Sequence, residues 1–310
     1  MSRYFLKRLL MLIPVLLGVS VLIFSIVHLA PGDPAEIMMG PDATQEELQA
    51  FRVKLGFDRP LVEQYFTFIG KALRGDLGES IKTNTPVMEE IAVSFPATLT
   101  LAFLSMVFSV VIGLPLGALA ALKQNTWVDA LCSFLALAGF SIPAFWVGLM
   151  FMLFFSIAFP ILPSSGWGDW RHLILPTVVL GIQSMAIVAR MTRSSMLEVI
   201  RQDYIATARS KGIPYRILLF RHILSNAMIP IVTVVGLSFG ASLGGVVVTE
   251  TIFSIPGIGR LIVDAIRAHD YPLVQGGVLF FAFCVGIVNL LVDMLYAVLD
   301  PRIKAQYRSN

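Results

Sequence analysis

The residues able to do chemistry are few and scattered. Four histidines, His28, His172, His222 and His269, lie far apart in the chain, and the two cysteines, Cys132 and Cys284, are solitary. No HExxH, GxSxG or GxxxxGKS/T segment occurs, and no Cys/His spacing suits a metal. Within the apolar runs the ionisable groups of note are Arg190, Glu250 and Asp293, each near an end of its run. An ion-coupled transporter usually binds its ion near the bilayer midplane, so this placement speaks against proton or sodium coupling. What the chain does concentrate is positive charge. Between Arg190 and Arg221, Arg190, Arg193, Arg201, Arg209, Lys211, Arg216 and Arg221 are opposed only by Glu198 and Asp203. Such a cluster serves attraction, either to anionic lipid headgroups or to a docking partner, rather than a reaction.

Membrane helices must position these residues. Of 310 residues, 56% are hydrophobic and 14% charged, whereas a soluble domain carries about 25% charged residues. A span needs about 20 mainly apolar residues, because hydrocarbon leaves every backbone amide to be satisfied within its own segment. Six stretches meet or approach that length: residues 9–30, 97–122, 130–155, 173–189, 227–249 and 271–292. Placing the amino terminus inside puts Arg3, Lys7, Arg8, Lys123, the whole basic cluster, Arg302, Lys304 and Arg308 on the cytoplasmic side, as the positive-inside rule asks. Most of the remaining basic residues fall in residues 31–96, a segment longer than the loops over which that rule acts. The net charge of +3 does not suggest nucleic acid once the topogenic clusters are set aside. The first apolar run is longer than a cleavable signal core and lacks a small-x-small site after it, so it reads as a retained signal anchor.

The outer segment has structure of its own. Thr44-Gln45-Glu46-Glu47 fits a capping box, with Leu48, Phe51 and Leu55 on one face of the helix it starts and Gly56 placed to stop it. Asp58-Arg59-Pro60 offers a second start, followed by Leu61, Tyr65, Ile69 and Leu73 at steps of four and an end near Gly75. The expected organisation is therefore a signal-anchor span over 1–30, an extracytoplasmic helical insertion over 31–96, a five-span core over 97–299 containing a cytoplasmic loop at 193–226, and a cytoplasmic tail at 300–310.

Small residues mark where helices approach. Gly236, Gly240 and Gly244 recur every fourth residue in the fifth span, with Ser238 and Ser242 on the same helix, and Gly113, Gly117 and Ala121 do so in the second. That spacing suits close helix packing in lipid and also a smooth translocation path. Pro115 and Pro143 should kink their spans. Cys132 and Cys284 both fall in spans and read as packing residues rather than a disulfide.

The basic cluster has a local shape. Good helix formers run from Met196 to Lys211, Gly212 breaks the helix, and Pro214 suits the first turn of a second short helix ending near His222. Ala206 and Ala208, small and close to this Gly-Ile-Pro corner, would let a partner approach; a helix that only lay on lipid would present large apolar residues.

Here the chain resembles the integral membrane subunits of ATP-binding-cassette importers, specifically the first permease subunit of the dipeptide, oligopeptide, glutathione and nickel group. The cytoplasmic motif of such permeases, Glu-Ala-Ala, three residues, Gly, nine residues, then Ile-x-Leu-Pro, maps onto Ala206-Thr207-Ala208 and Gly212. Ala206 replaces the glutamate and Thr207 the first alanine, while His222 and Ser225 stand for Ile and Pro and Leu224 is kept. The subfamily phrases are closer: DYIATARSKG from Asp203, LAPGDPA from Leu29, LGFDRPLVEQY from Leu55, GDLGESI from Gly75, FPATLTLA from Phe95, FSIPGIGRLIVDAI from Phe253, DYPLVQG from Asp270 and DPRI from Asp300.

The resemblance implies an all-α, six-span permease of the type I importer kind, with the insertion between spans 1 and 2 and coupling helices between spans 4 and 5. It implies partners: a homologous second permease, two cytoplasmic ATPase subunits that carry ATP and magnesium, and an extracytoplasmic substrate-binding protein, all at a bacterial inner membrane with both termini cytoplasmic. No cofactor is expected on this chain. Contact with an ATPase subunit would fall to Asp203, Tyr204, Ala206, Thr207, Ala208, Arg209, Lys211, Gly212 and Arg216. Di- or oligopeptides are the implied substrates, with glutathione and nickel as alternatives; an ion-coupled transporter and a membrane-embedded enzyme are the competing classes.

Overall fold

The structure is a computed structural model that describes residues 2–29, 43–56 and 58–299. The LAPGDPA phrase beyond Leu29, Phe57 and the tail from 300, with Arg302, Lys304 and Arg308, lie outside the described residues. Among those residues all regular elements are helical, apart from an isolated antiparallel bridge between Glu79 and Pro86. Helices α1 (Ser2–Leu29), α2 (Gln45–Leu55), α3 (Leu61–Ala72), α4 (Val87–Leu122), α5 (Trp127–Ser141) and α6 (Ala144–Met152) are followed by a π-helical turn, Leu153–Ala158. After it come α7 (Arg171–Ile200), α8 (Asp203–Ser210), the single turn α9 (Tyr215–Ile217), a second π-helical segment (Leu218–Leu224), α10 (Ser225–Phe253), α11 (Ile258–Arg267) and α12 (Tyr271–Leu299).

Five helical stretches are long and apolar enough to cross a membrane: Arg8–Leu29, Val87–Leu122, Arg171–Ile200, Tyr215–Phe253 and Tyr271–Met294. A sixth span exists if α5 and the helix after it count as one, although the two are bent by 99°. The kink expected at Pro143 is thus a corner. Ile142 is driven to an extended backbone (φ −80°, ψ 129°) by the proline that follows it, and Pro143 is extended too (φ −60°, ψ 133°), so two consecutive residues leave the helical region. At Pro115, by contrast, α4 continues without interruption. The fourth span, which looks short because Arg190 and Arg193 end its apolar run, is one 30-residue helix.

The chain divides into two compact units, one holding Ala97–Pro256 with the described parts of Met1–Phe5 and of the chain from Ile287 onward, the other Leu6–Pro96 and Gly257–Gly286. In the first unit α7 is the central support. Adding a Cβ to Gly113 would bring it to 2.7 Å from the Met185 carbonyl oxygen, and a Cβ on Gly117 would collide with Ala189 O and approach Thr192 Cβ at 2.6 Å. The glycines of α4 therefore let its backbone lie directly on α7, where Ser109 also donates to Gly181 O at 2.8 Å. Thr98 Oγ1 donates to Glu250 Oε1 at 2.6 Å, and Glu250 is fully buried. The carboxylate expected at an outer helix end thus joins α4 to α10 in the interior.

In the second unit the capping box is formed as expected. Glu47 N donates to Thr44 Oγ1 at 3.3 Å, while Thr44 N and Thr44 Oγ1 donate to Glu47 Oε2 at 2.9 and 2.8 Å, and these last two bonds hold the Glu47 carboxyl below the usual carboxylate range. Gly56 ends α2 in the left-handed region with φ 76°. Leu48 is buried, while the side chains of Phe51 and Leu55 lie outside the described set. Helix α3 is tied to α1 by Tyr65 with Ser20 (2.9 Å) and Gln64 with His28 (3.0 Å). Its stripe at steps of four is only partly inward: Tyr65 and Ile69 are half-buried, but Leu61 and Leu73 are exposed. Four residues exceed one 3.6-residue turn, so a strict step of four drifts off any one face.

Asp270 closes this unit. It caps α12, accepting from Leu273 N at 3.3 Å, and reaches the 80–82 loop through Ser80 Oγ (2.5 Å), Ile81 N (3.3 Å) and Lys82 N (3.4 Å). The GDLGESI and DYPLVQG phrases, some 190 residues apart, meet at this one carboxylate.

Candidate coupling corner

The basic loop folds into a compact corner, whose helices differ from the expected pair. Helix α7 stops at Ile200, and Arg201 and Gln202 form a break before the eight residues of α8. Gln202 has extended backbone (φ −74°, ψ 144°), which separates the two helices. At the other end Gly212 adopts φ 75°, its N–H bonds Arg209 O at 2.9 Å, and Ile213 N reaches Ala208 O at 3.3 Å. This pair of bonds around a left-handed glycine is a Schellman stop. The expected second short helix does not end near His222: Pro214 starts a turn that passes through the π-helical segment straight into α10, so Tyr215–Phe253 is one continuous helical rod.

One face of α8 is spent internally. Ile205 and Ala208 are buried with Met196 and Leu197 of α7, Leu218 and Ile223 of the π segment, and Ala227 and Ile231 of α10. The expectation that Ala208 faces a partner is therefore corrected: it lies one turn from Ile205, the large apolar residue that anchors the helix, and shares its inward face. Asp203, Tyr204, Ala206, Thr207, Arg209, Lys211 and Arg216 are exposed around the outside. Sequence reasoning missed Tyr215, Ile217 and Phe220, which are also exposed beside the corner. Their spacing marks no single face of an ideal helix, so the sequence carried no clear signal for them. Beside the start of α8 lies a polar cavity of about 490 Å³ lined by Gln124, Arg193, Ser194, Glu198, Arg201 and Gln202.

The small-residue stripe of α10 is not uniform. A Cβ on Gly236 would meet Val292 Cγ1 at 2.6 Å, and one on Gly240 would meet Asn289 Oδ1 at 2.5 Å, so both support a close approach to α12 within the chain; around Gly244 there is open space. Ser238 and Ser242 are buried, and Ser242 Oγ is engaged by Phe239 O at 2.8 Å. Cys132 and Cys284 are free thiols. Among the described residues no group of three or more His, Cys, Asp or Glu could hold a metal ion.

The corner is thus an exposed short helix rooted in the core of a bundle of long apolar helices. Residues 113–305 match the family described as "Binding-protein-dependent transport system inner membrane component", and residues 1–102 match the N-terminal counterpart of that component. The chain is 43% identical to the dipeptide transport system permease protein DppB of Alkalihalophilus pseudofirmus, covering 98% of this chain and 100% of that one. It is 44% identical to the glutathione transport system permease protein GsiC of Escherichia coli K12, over 98% of this chain and 99% of that one. In fold, 69% of the chain resembles 97% of a chain from the MetNI methionine ABC transporter in inward-facing conformations, with a TM-score of 0.57 and 19% identity. It also resembles 94% of a chain from an amino acid ABC transporter with histidines, with a TM-score of 0.53 and 17% identity. The chain belongs to the inner-membrane component family of binding-protein-dependent transport systems: it is a multi-pass permease subunit of an ABC importer of the dipeptide and glutathione group, not an enzyme.

Proposed function

We propose that this permease takes up short peptides, pairs with a homologous permease, and receives the work of two ATPase subunits through α8 and Gly212, with a binding protein delivering substrate to the outer side. The observation that carries the coupling role is the two-faced corner: Ile205 and Ala208 lock α8 into the core, while Ala206, Thr207 and Arg209 remain on its surface. A partner that displaces α8 displaces the ends of α7 and α10 with it, because close-packed interiors transmit strain. ATP and magnesium belong to the partner, and this chain needs no cofactor. The names of the two relatives support a peptide substrate, since glutathione is itself a tripeptide; neither name points to nickel.

The test is uptake of a labelled dipeptide into proteoliposomes. The full assembly with ATP is expected to accumulate it, an ion gradient without ATPase subunits to move none, and glutathione to compete. Uptake driven by the gradient alone would refute the coupling role. Concentrative uptake of nickel with no peptide transport would refute the substrate.

The proposed orientation, with both termini cytoplasmic and the insertion outside, makes a separate prediction. Single cysteines placed after residues 60, 125, 165, 215 and 305 should label from outside, inside, outside, inside and inside. Cytoplasmic labelling at 60 would overturn the arrangement.

A further inference from the structure

The bent third span does not run directly into the corner, since the chain passes from it through a loop and the whole of α7 before reaching α8. Its first arm, α5, is instead fastened along α7. At one end Arg193 grips Asp129 with a two-pronged ion pair, Nε to Oδ1 at 2.7 Å and Nη2 to Oδ2 at 2.8 Å. Asn125 N and Ser133 Oγ add bonds to the same carboxylate at 3.0 and 3.3 Å, so Asp129, itself buried, is held on both oxygens. Further along, Ala136 packs into Ala186 and Ala189, and a Cβ on Gly139 would stand 3.0 Å from Ile182 Cγ2. Apolar contact along this seam, which Leu116 also joins, has no directional bond of its own. The directional fork at Asp129 fixes its register.

Arg193 stands about two turns before α7 ends at the Arg201-Gln202 break. It also lines the polar cavity that opens at the start of α8, so it lies between the surface where force would arrive and the arm of the third span. We infer that the Asp129–Arg193 pair is a positioning link that carries displacement of the corner into the bent third span. The inference rests on the coupling role proposed for α8. Without the pair, α7 moves with its partner but α5 lags, and ATP is hydrolysed without the matching change in the translocation path.

The reconstituted transporter tests this with Asp129→Asn, Arg193→Gln and the charge-exchanged double variant Asp129→Arg/Arg193→Asp. Association of the ATPase subunits, ATP turnover and peptide uptake are measured on the same preparations. Each single variant is expected to retain its ATPase subunits and to lose about tenfold in peptide moved per ATP, within the range typical of coupling between sites. The exchanged pair should recover most of that loss, which a general defect in folding would not allow. Should Arg193→Gln fail to insert, Arg193→Lys, which keeps the charge but not the fork, is expected to insert and still to lower the ratio. An unchanged ratio in the variants that insert, or no recovery in the exchanged pair, overturns the link. Loss of the ATPase subunits from the single variants also overturns it, by assigning the pair to docking. The coupling role of the corner fails on a different result, parental ATPase association and stimulation in both Ala206→Trp and Gly212→Val, neither of which involves this pair.

Discussion

Gly117→Leu is expected to leave no intact permease complex. A Cβ at this position would overlap the Ala189 carbonyl oxygen and stand 2.6 Å from Thr192 Cβ. Neither obstacle can rotate away: one is helix backbone, and the other is the branch point of a fully buried side chain whose hydroxyl is held by Val188 O at 2.8 Å. Gly113, one turn earlier, meets Met185 O and Val188 in the same manner, so α4 cannot tilt about one tight contact to relieve the other. Leucine must therefore push α4 away from α7. Overpacking usually costs about 1–3 kcal/mol, and four carbons against rigid backbone place this change at or above about 3 kcal/mol. That is a large part of a typical stability of about 5–15 kcal/mol. Size-exclusion profile and thermal melting of the detergent-purified complex are the measurements. Gly117→Ala should already melt lower than the parent, and Gly117→Leu should aggregate or fail to assemble. A Gly117→Leu complex that melts like the parent would show that the two helices do not touch there.

This close approach was legible in the spacing of Gly113, Gly117 and Ala121, because small residues at i and i+4 share a helix face whatever the partner is. The partner was not legible. Nothing in the order of residues says that α4 lies on Met185 and Ala189, or that Gly236 and Gly240 lie on Val292 and Asn289 while Gly244 does not. Helix stops are legible in the sequence because few residues decide them. The Thr44–Glu47 box and the left-handed glycines at 56 and 212 are decided within a few residues of chain. Failures arose where a short-range rule competed with packing. Arg190 and Arg193 look like the end of a span, yet α7 continues through both to Ile200, with Arg193 bound to Asp129 and Arg190 lying over the Phe140 ring at 4.6 Å. The sequence predicts a kink at Pro143, but the corner depends on Ile142 leaving the helix as well. At α8 the small size of Ala206 and Ala208 suggested one shared role, although residues two apart on a helix point to different sides. The Ser80–Asp270 contact had no local signal at all.

The orientation of α8 decides how the coupling corner should respond to substitution. Ala206 is exposed and its neighbours Thr207 and Ser210 return their hydroxyls to the helix's own carbonyls, at 3.0 Å to Asp203 O and 3.2 Å to Ala206 O. Ala206→Trp therefore adds bulk outward without touching the core, and is expected to leave the melting temperature unchanged while abolishing ATPase association. Ala208→Trp is not a clean probe, since an indole in the space shared by Ile205, Leu218 and Ile223 would disrupt the core itself. Gly212→Val acts differently again. No atom lies within 4 Å of where its Cβ would stand, so the neighbours tolerate it, but φ 75° does not suit a β-branched residue. Left-handed backbone costs an ordinary L-residue about 1–2 kcal/mol, and relief of that strain would release the bonds to Arg209 O and Ala208 O and turn Ile213 out of its place against the core. Expected results are insertion, a slightly lowered melting temperature, and loss of substrate-stimulated ATP hydrolysis. Gly212→Asn, which tolerates the left-handed region better, should keep much of that stimulation. Charge reversal at the exposed Arg209 should be milder, because a rim charge in water contributes about 1 kcal/mol or less. Pull-down of the ATPase subunits and the ATPase rate of the reconstituted complex give the answer. Parental values in both Ala206→Trp and Gly212→Val would remove docking from this corner and leave its positive charges with a topogenic role alone.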